Sequence, residues 1–268
     1  MTTKNPLGQA TAYPEQYSPD LLYAIARTDS REALGLDGDL PFQGVDIWNA
    51  WELTWLNDKG LPQVAVAEIR VPAESPNIVE SKSLKLYLGS FAMTRFPASD
   101  DVATAIRNDL SACTDSEVAV ELLAGSDTRS VESFPGRCVD ELEIDCDQYE
   151  VDPALLTVGE EVVTESLHSY LLRSLCPVTN QPDIGSVLVT YRGPRIDPAG
   201  LLKYIVSFRN HNDFHEACVE RMFMDIAERC QPEQLSVYAG YQRRGGIDIN
   251  PYRSNTDGDP PNIRLWRQ

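Results

Sequence analysis

Two octapeptides decide how this chain is read: "LKLYLGSF" at residues 84–91 and "LLKYIVSF" at residues 201–208. Leu, Tyr, Ser and Phe fall in register between them, which marks a degenerate internal repeat. Each octapeptide follows a run in which β-branched residues alternate with others, "PQVAVAEIRV" (62–71) and "GSVLVTYRG" (185–193), with a Pro- or Gly-containing turn after it. Each is followed by a helical pattern. In the first half this is "DDVATAIRNDLSACT" (100–114), with an acidic start. In the second it is "HEACVERMFMDIAERC" (215–230), where Ala217, Val219, Met222, Phe223, Ile226 and Ala227 form a broad apolar stripe. Strand patterns return in "SEVAVELLAG" (116–125) and "EQLSVYAGYQ" (233–242). Each half therefore reads strand, strand, helix, strand, with room for a further helix at the octapeptide. This predicts an α+β protein of two modules, with antiparallel sheets and helices on one face. The acidic, turn-rich stretch "GSDTRSVESFPGRCVDELEIDCDQYEVDPA" separates the halves, so the expected modules are residues 1–130 and 140–268.

The length, 268 residues, suffices for one large core or two ordinary ones. Hydrophobic residues at 42% and charged residues at 24% are ordinary for a soluble globular protein. The N-terminal stretch has no apolar h-region, so no signal peptide is expected. No apolar run approaches the ~20 residues that span a bilayer. Together these suggest a cytoplasmic protein with no membrane partner. A net charge of −18 repels a polyanion over most of the surface, so no direct nucleic-acid partner is expected. Six cysteines at 113, 138, 146, 176, 218 and 230 form no CxxC pair, zinc ribbon or disulfide framework, and read as reduced and mostly buried.

Four stretches carry residues that can do chemistry. In "RSLCPVTNQPDIGS" (173–186), Cys176 and Asp183 bracket a turn stiffened by Pro177 and Pro182. A lone Cys is most often a small buried hydrophobe. Beside a protonated carboxyl it is also a nucleophile with its own proton donor. In "HNDFHEACVER" (211–221), His211 and His215 stand at a metal-compatible i, i+4 spacing, yet neither HExxH nor a Cys pair accompanies them. His215-Glu216 also suits recognition of a guanine-like N–H edge, which a carboxylate accepts as it accepts an Arg fork. The plainer alternative is a carboxylate at home in a first helical turn. In "NIVESKSLKLYLGSF" (77–91), Lys82 and Lys85 beside Ser81 and Ser83 suit a phosphate, or simply a solvated helix face. In "YQRRGGIDINPYRS" (241–254), Arg243, Arg244, Gly245 and Gly246 suit a phosphate too, or a charged hairpin turn. Neither a GxGxxG after a strand nor a GxxxxGK[ST] is present, so a dinucleotide would not bind in the Rossmann manner.

Taken together, "ESKSLKLYLGSF", "SLCPVTNQPDIGS", "FHEACVERM" and "RRGGIDINPYRS" resemble the conserved blocks of the NADPH-dependent 7-cyano-7-deazaguanine reductases, the nitrile reductases of queuosine biosynthesis. The likeness runs from "DLPFQGVDIWNAWELTWLNDKGLPQVAV" to the C-terminus and is weakest over about 115–160. It is to the long branch, whose signature and reactive cysteine lie in different halves. The resemblance implies tandem tunnel-fold (T-fold) modules related to GTP cyclohydrolase I, a homodimer, and no metal. It implies that Cys176 is the nucleophile, Asp183 the proton donor and His215 a catalytic neighbour of the reacting nitrogen. It implies substrate contacts from Val79, Glu80, Ser81, Phe214, His215 and Glu216, with Phe214 stacking on the base. It implies an NADPH site at Ser81, Lys82, Arg244 and Gly245, with two NADPH used per turnover and Lys82 and Arg244 as 2′-phosphate partners. By the same likeness, thiolate addition turns an unreactive nitrile into an electrophilic thioimide, and the pocket must exclude water while an imine waits. Two rivals stay open. One is a zinc-dependent, cyclohydrolase-like pterin enzyme with Cys176, His211 and His215 as ligands. The other is a purine- or pterin-binding module without turnover.

Overall fold

The computed structural model describes residues 14–36, 38–125, 129–258 and 260–268. Residues 1–13, where no signal peptide is expected, and residues 126–128 of the expected module boundary lie outside them. In chain order the elements are β1 (Ala24–Ala26), α1 (Thr28–Glu32), β2 (Gln43–Leu56), β3 (Pro62–Pro72), β4 (Asn77–Val79), α2 (Ser81–Gly89), α3 (Ser99–Thr114) and β5 (Ala119–Leu123). They continue as β6 (Arg137–Cys138), β7 (Val158–Ser169), β8 (Arg173–Leu175), β9 (Pro182–Ile196), α4 (Pro198–Ser207), α5 (His215–Cys230), β10 (Gln234–Tyr241) and β11 (Ile247–Ser254). The protein is α+β, and both halves of the expected repeat follow the expected order, with a helix at each octapeptide.

The chain forms two compact units that are not contiguous in sequence. The first takes the chain up to Asp29, then Asp46–Arg129 and Arg243–Asp248; the second takes Ser30–Val45, Ser130–Gln242 and Ile249–Gln268. In the first, the sheet order is β5-β3-β2, with β1 and β4 as a separate antiparallel pair. In the second it is β11-β10-β9-β7-β6, with β8 also on β9. The expectation of purely antiparallel sheets fails at one edge, where the two-residue β6 lies parallel to β7. A parallel neighbour needs a long crossover, and residues 139–157 provide it. The connector thus pairs only the C-terminal end of β7, at Leu167 and His168.

The repeat is built from one side-chain clamp used twice. In the first unit the Tyr87 hydroxyl donates to Asp109 of α3 at 2.6 Å, and the Ser90 hydroxyl donates to the Tyr87 carbonyl at 2.6 Å. In the second, Tyr204 donates to Asp225 of α5 at 2.6 Å, and Ser207 donates to the Tyr204 carbonyl at 2.6 Å. Phe91 meets Tyr87 edge-on at 5.2 Å, and Phe208 meets Tyr204 edge-on at 5.3 Å. The octapeptides match because these residues tie each short helix to the long one after it. The helix starts correspond as well. Glu80 caps α2 by accepting from Lys82 and Ser83 N–H, and Asp197 caps α4 by accepting from Ala199 and Gly200 N–H. Both long helices end on a left-handed residue, Asp115 at φ +54° and Gln231 at φ +48°. Val102, Ile106 and Leu110 bury one face of α3, and Met222, Phe223 and Ile226 bury that of α5.

Candidate active site

In the second unit, the chain between β7 and β9 is longer than the matching β2–β3 connection, and it carries Cys176. Strand β8 pairs with β9 so that Ser174 stands opposite Asp183 and Leu175 opposite Pro182. The Cys176 N–H donates to the Gln181 carbonyl and the Asn180 N–H donates to the Cys176 carbonyl, both at 2.9 Å. Asn180 closes the loop at φ +56°, a conformation Asn tolerates better than most residues. Cys176 follows directly on the end of β8, two residues past Ser174, the cross-strand partner of Asp183. The expected cysteine and aspartate thus lie at the two sides of one tight hairpin end.

The other edge of β8 fixes what comes next. Leu175 N–H donates to the His211 carbonyl at 2.8 Å, and Asp213 N–H donates to the Leu175 carbonyl at 3.2 Å. These bonds dock the segment entering α5 onto the hairpin. His215, the first residue of α5, then sets Nε2 3.3 Å from the Asp183 carboxylate. Its imidazole lies flat on the Tyr241 ring, with centroids 3.8 Å apart and planes 12° from parallel. Phe214 is the N-cap of α5 without a side-chain cap of its own. Asp213 assists by accepting from the Phe214 N–H at 2.8 Å and from the Ser30 hydroxyl at 3.3 Å, and burial raises its carboxyl above the usual range. Glu216 is buried in the first turn, where unpaired helix N–H groups favour a carboxylate. One turn on, Glu220 is gripped by Arg31 at 2.8 Å and by Arg253 at 2.9 Å, all three buried.

The two histidines at i, i+4 do not converge. Burial, reinforced by the nearby Arg221 guanidinium, lowers His211 to about 4, and its ring stands edge-on to Phe208 at 5.3 Å. Its Nε2 lies 3.9 Å from Asp213, whereas His215 turns to Asp183. Among the described residues no group of three or more His, Cys, Asp or Glu side chains is arranged to hold a metal ion.

The remaining expected residues lie in the first unit. Val79 pairs with Ala24 and is buried, and Glu80 donates its N–H to the Tyr23 carbonyl at 2.8 Å. The Glu80 carboxylate is a capping group, accepting from Lys82 N–H at 2.9 Å and Ser83 N–H at 2.7 Å, a role the sequence did not suggest. Ser81 and Lys82 begin α2. Further along, Gly245 (φ +56°) and Gly246 (φ +79°) make the turn into β11, closed by Arg244 and Ile247 exchanging backbone bonds. Two successive positive φ values mark a type I′ hairpin, which glycines meet without strain. A Cβ on Gly245 would press the Lys85 stem at 3.1 Å, so α2 and the glycine turn meet at Lys85. Lysine, arginine and a close-approaching glycine backbone together fit a phosphate-bearing cofactor. Sequence reasoning missed one neighbour. Arg243 packs over the Trp51 ring at 5.5 Å, and Asp248 holds Trp51 through its indole N–H and Asn49 at 2.8 Å. The signal was the clustering of Trp48, Trp51 and Trp55 within one strand-like run.

Comparison with known family models gives two matches. Residues 13–122 match the model for "Nitrile reductase, 7-cyano-7-deazaguanine-reductase N-term", and residues 182–260 match that for "QueF-like protein". A protein of Burkholderia multivorans named NADPH-dependent 7-cyano-7-deazaguanine reductase is 54% identical over 98% of both chains. A protein of Burkholderia lata with the same name is 55% identical over the same share of each. Among solved structures, the archaeosine synthase QueF-Like in the apo form matches at 17% identity with a TM-score of 0.32, over 38% of this chain and 99% of that one.

Proposed function

The chain belongs to the NADPH-dependent 7-cyano-7-deazaguanine reductase family, and from that premise we propose that it reduces the nitrile of 7-cyano-7-deazaguanine to the aminomethyl group through a thioimide on Cys176. The observation that carries the reading is that His215 reaches Asp183 at 3.3 Å, on the β8–β9 hairpin whose turn begins with Cys176. The Cys176 thiolate adds to the nitrile carbon, forming the C–S bond and opening one C–N π bond. The nitrogen takes the Asp183 proton as negative charge builds on it. His215, in contact with Asp183, supports that proton and then faces the same nitrogen. NADPH supplies two hydrides, one from each of two molecules, to the former nitrile carbon. Between them the C–S bond breaks and Cys176 leaves as thiolate; as the second hydride adds to the imine carbon, the nitrogen takes a second proton, relayed from solvent by way of His215 and Asp183.

Glu216, buried in the first turn of α5 two residues after Phe214, would hold the deazaguanine N–H edge. Phe214, at the N-cap before it, would stack on the base. Val79, Glu80 and Ser81 would complete the substrate site. Ser81, Lys82, Arg244 and Gly245 would hold NADPH, the two cations favouring a 2′-phosphate. This reading keeps T-fold modules at 1–130 and 140–268, a homodimer, a cytoplasmic setting and no nucleic-acid partner. No described helix is long and apolar enough to cross a membrane. The divergent His211 and His215 side chains favour the reductase over a zinc enzyme. The test is NADPH oxidation with the nitrile, alongside intact mass of protein incubated with the nitrile alone. Wild type gains the substrate mass and Cys176→Ala neither gains it nor turns over. An adduct or turnover on Cys176→Ala refutes the assignment.

A further inference from the structure

We propose that Tyr241 is a positioning residue that sets the His215 imidazole against Asp183 through a face-to-face stack; the inference rests on the proposed reduction at Cys176. The imidazole–phenol distance of 3.8 Å at 12° is full ring-on-ring contact, and it constrains the torsion that a histidine otherwise leaves soft. On its free edge the imidazole meets Asp183. The stacking ring is itself immobile. Tyr241 is 1% exposed at the end of β10, and its hydroxyl faces the Ser174 hydroxyl and the buried Cys218 thiol.

The neighbours of this ring leave it little freedom. Gly185 is the cross-strand partner of Tyr241. A Cβ there would lie 3.1 and 3.3 Å from the Tyr241 ring and 3.3 Å from Leu172, tight enough that the ring or Leu172 would have to give by a few tenths of an ångström. Ser174, beside the hydroxyl, is the cross-strand partner of Asp183. The ring that backs His215 and the strand register that carries Asp183 thus lie in one buried cluster. The repeat argues that the stack is not a general packing device. The Tyr–Ser–Phe–Asp clamp occurs in both units, but where α5 begins with His215 the matching α3 begins with Ser99. Where β10 ends with Tyr241, β5 is followed by Ala124 and Gly125.

The experiment compares wild type with Tyr241→Phe, Tyr241→Leu and Gly185→Ala. The chain has three histidines, so the ring protons of His215 are assignable by NMR, and the stack shifts them upfield. Tyr241→Phe keeps the ring and is expected to keep the shift and turn over within about threefold of wild type. Tyr241→Leu is expected to abolish the shift and lower kcat on the order of 10²-fold, the cost of a misplaced catalytic group, with KM for the nitrile changed less than threefold. Gly185→Ala displaces the ring and is expected to do the same in milder form. A folded Tyr241→Leu with wild-type kcat overturns the proposal, as does a Tyr241→Phe that loses as much as Tyr241→Leu. Should Tyr241→Leu fail to fold, Gly185→Ala decides: wild-type turnover with a displaced His215 signal, or an unmoved signal, overturns the proposal. If wild type does not reduce the nitrile, the proposed function fails instead, while the NMR shift still tests the stack.

Discussion

Acidification should withdraw from this protein the stability tied to one side chain, His211. Its ordinary value is 6.5, and burial with the adjacent Arg221 guanidinium lowers it to about 4 in the fold. The unfolded chain therefore binds a proton at a pH where the folded chain does not. Stability tied to this group is fully present above 6.5 and is lost as pH falls toward 4. At about 1.36 kcal/mol per pH unit, the whole shift corresponds to roughly 3 kcal/mol, and about 1.3 kcal/mol of it is lost between pH 7.5 and 5.5. That window stays above the sequence pI of about 4.5, where a chain of low net charge precipitates. The perturbation is His211→Gln, which keeps a polar side chain of similar length and removes the titration. Urea unfolding of wild type and variant at the two pH values gives a double difference from which other groups cancel. The variant should lose about 1.3 kcal/mol less than wild type on acidification. Parallel stability curves would refute the reasoning and show His211 to be accessible to protons in the folded state.

Three further outcomes follow from the geometry. Tyr87→Phe and Tyr204→Phe each strip a hydroxyl from a partly buried carboxylate, and each should cost about 1–3 kcal/mol by urea unfolding; a variant without cost would show that its clamp does not support its unit. Lys82→Ala should raise KM for NADPH more than KM for NADH, and equal increases would remove Lys82 from the 2′-phosphate. Glu216→Gln should weaken binding of the deazaguanine at least tenfold by titration calorimetry while leaving NADPH affinity in place; unchanged substrate affinity would take Glu216 out of base recognition.

The parts of the fold legible in the sequence were those where local chemistry repeats. Tyr, Ser and Phe recur at fixed offsets because the clamp needs all three, and α5 was readable to its ends because one stripe of apolar residues faces the core. Strand β7 was not legible. Its first half, "VGEEVV", is exposed and acidic, so it reads as more of the connector before it. Its partner β6 is two residues long and has no pattern to read. At the site, the Cys176–Asp183 turn was visible because Pro177, Asn180 and Pro182 are local turn chemistry. The meeting of His215 with Asp183 was not visible. It depends on backbone bonds between Leu175 and residues 211 and 213, which no side-chain motif encodes. The capping role of Glu80 was hidden for the opposite reason, since a Glu before "SKS" has as much reason to face a ligand as its own helix.

The doubled clamp has a consequence for how such a chain changes over generations. Scaffolding is supplied twice, whereas the thiol hairpin, the histidine and the ring beneath it occur in one copy alone. The first copy can therefore lengthen or redecorate its β2–β3 tip at no chemical risk, while the second is bound to every residue of its β7–β9 connection. Lineages of this chain should diverge fastest at residues 57–61 and slowest at 173–185, a gradient that any set of aligned sequences can confirm or contradict.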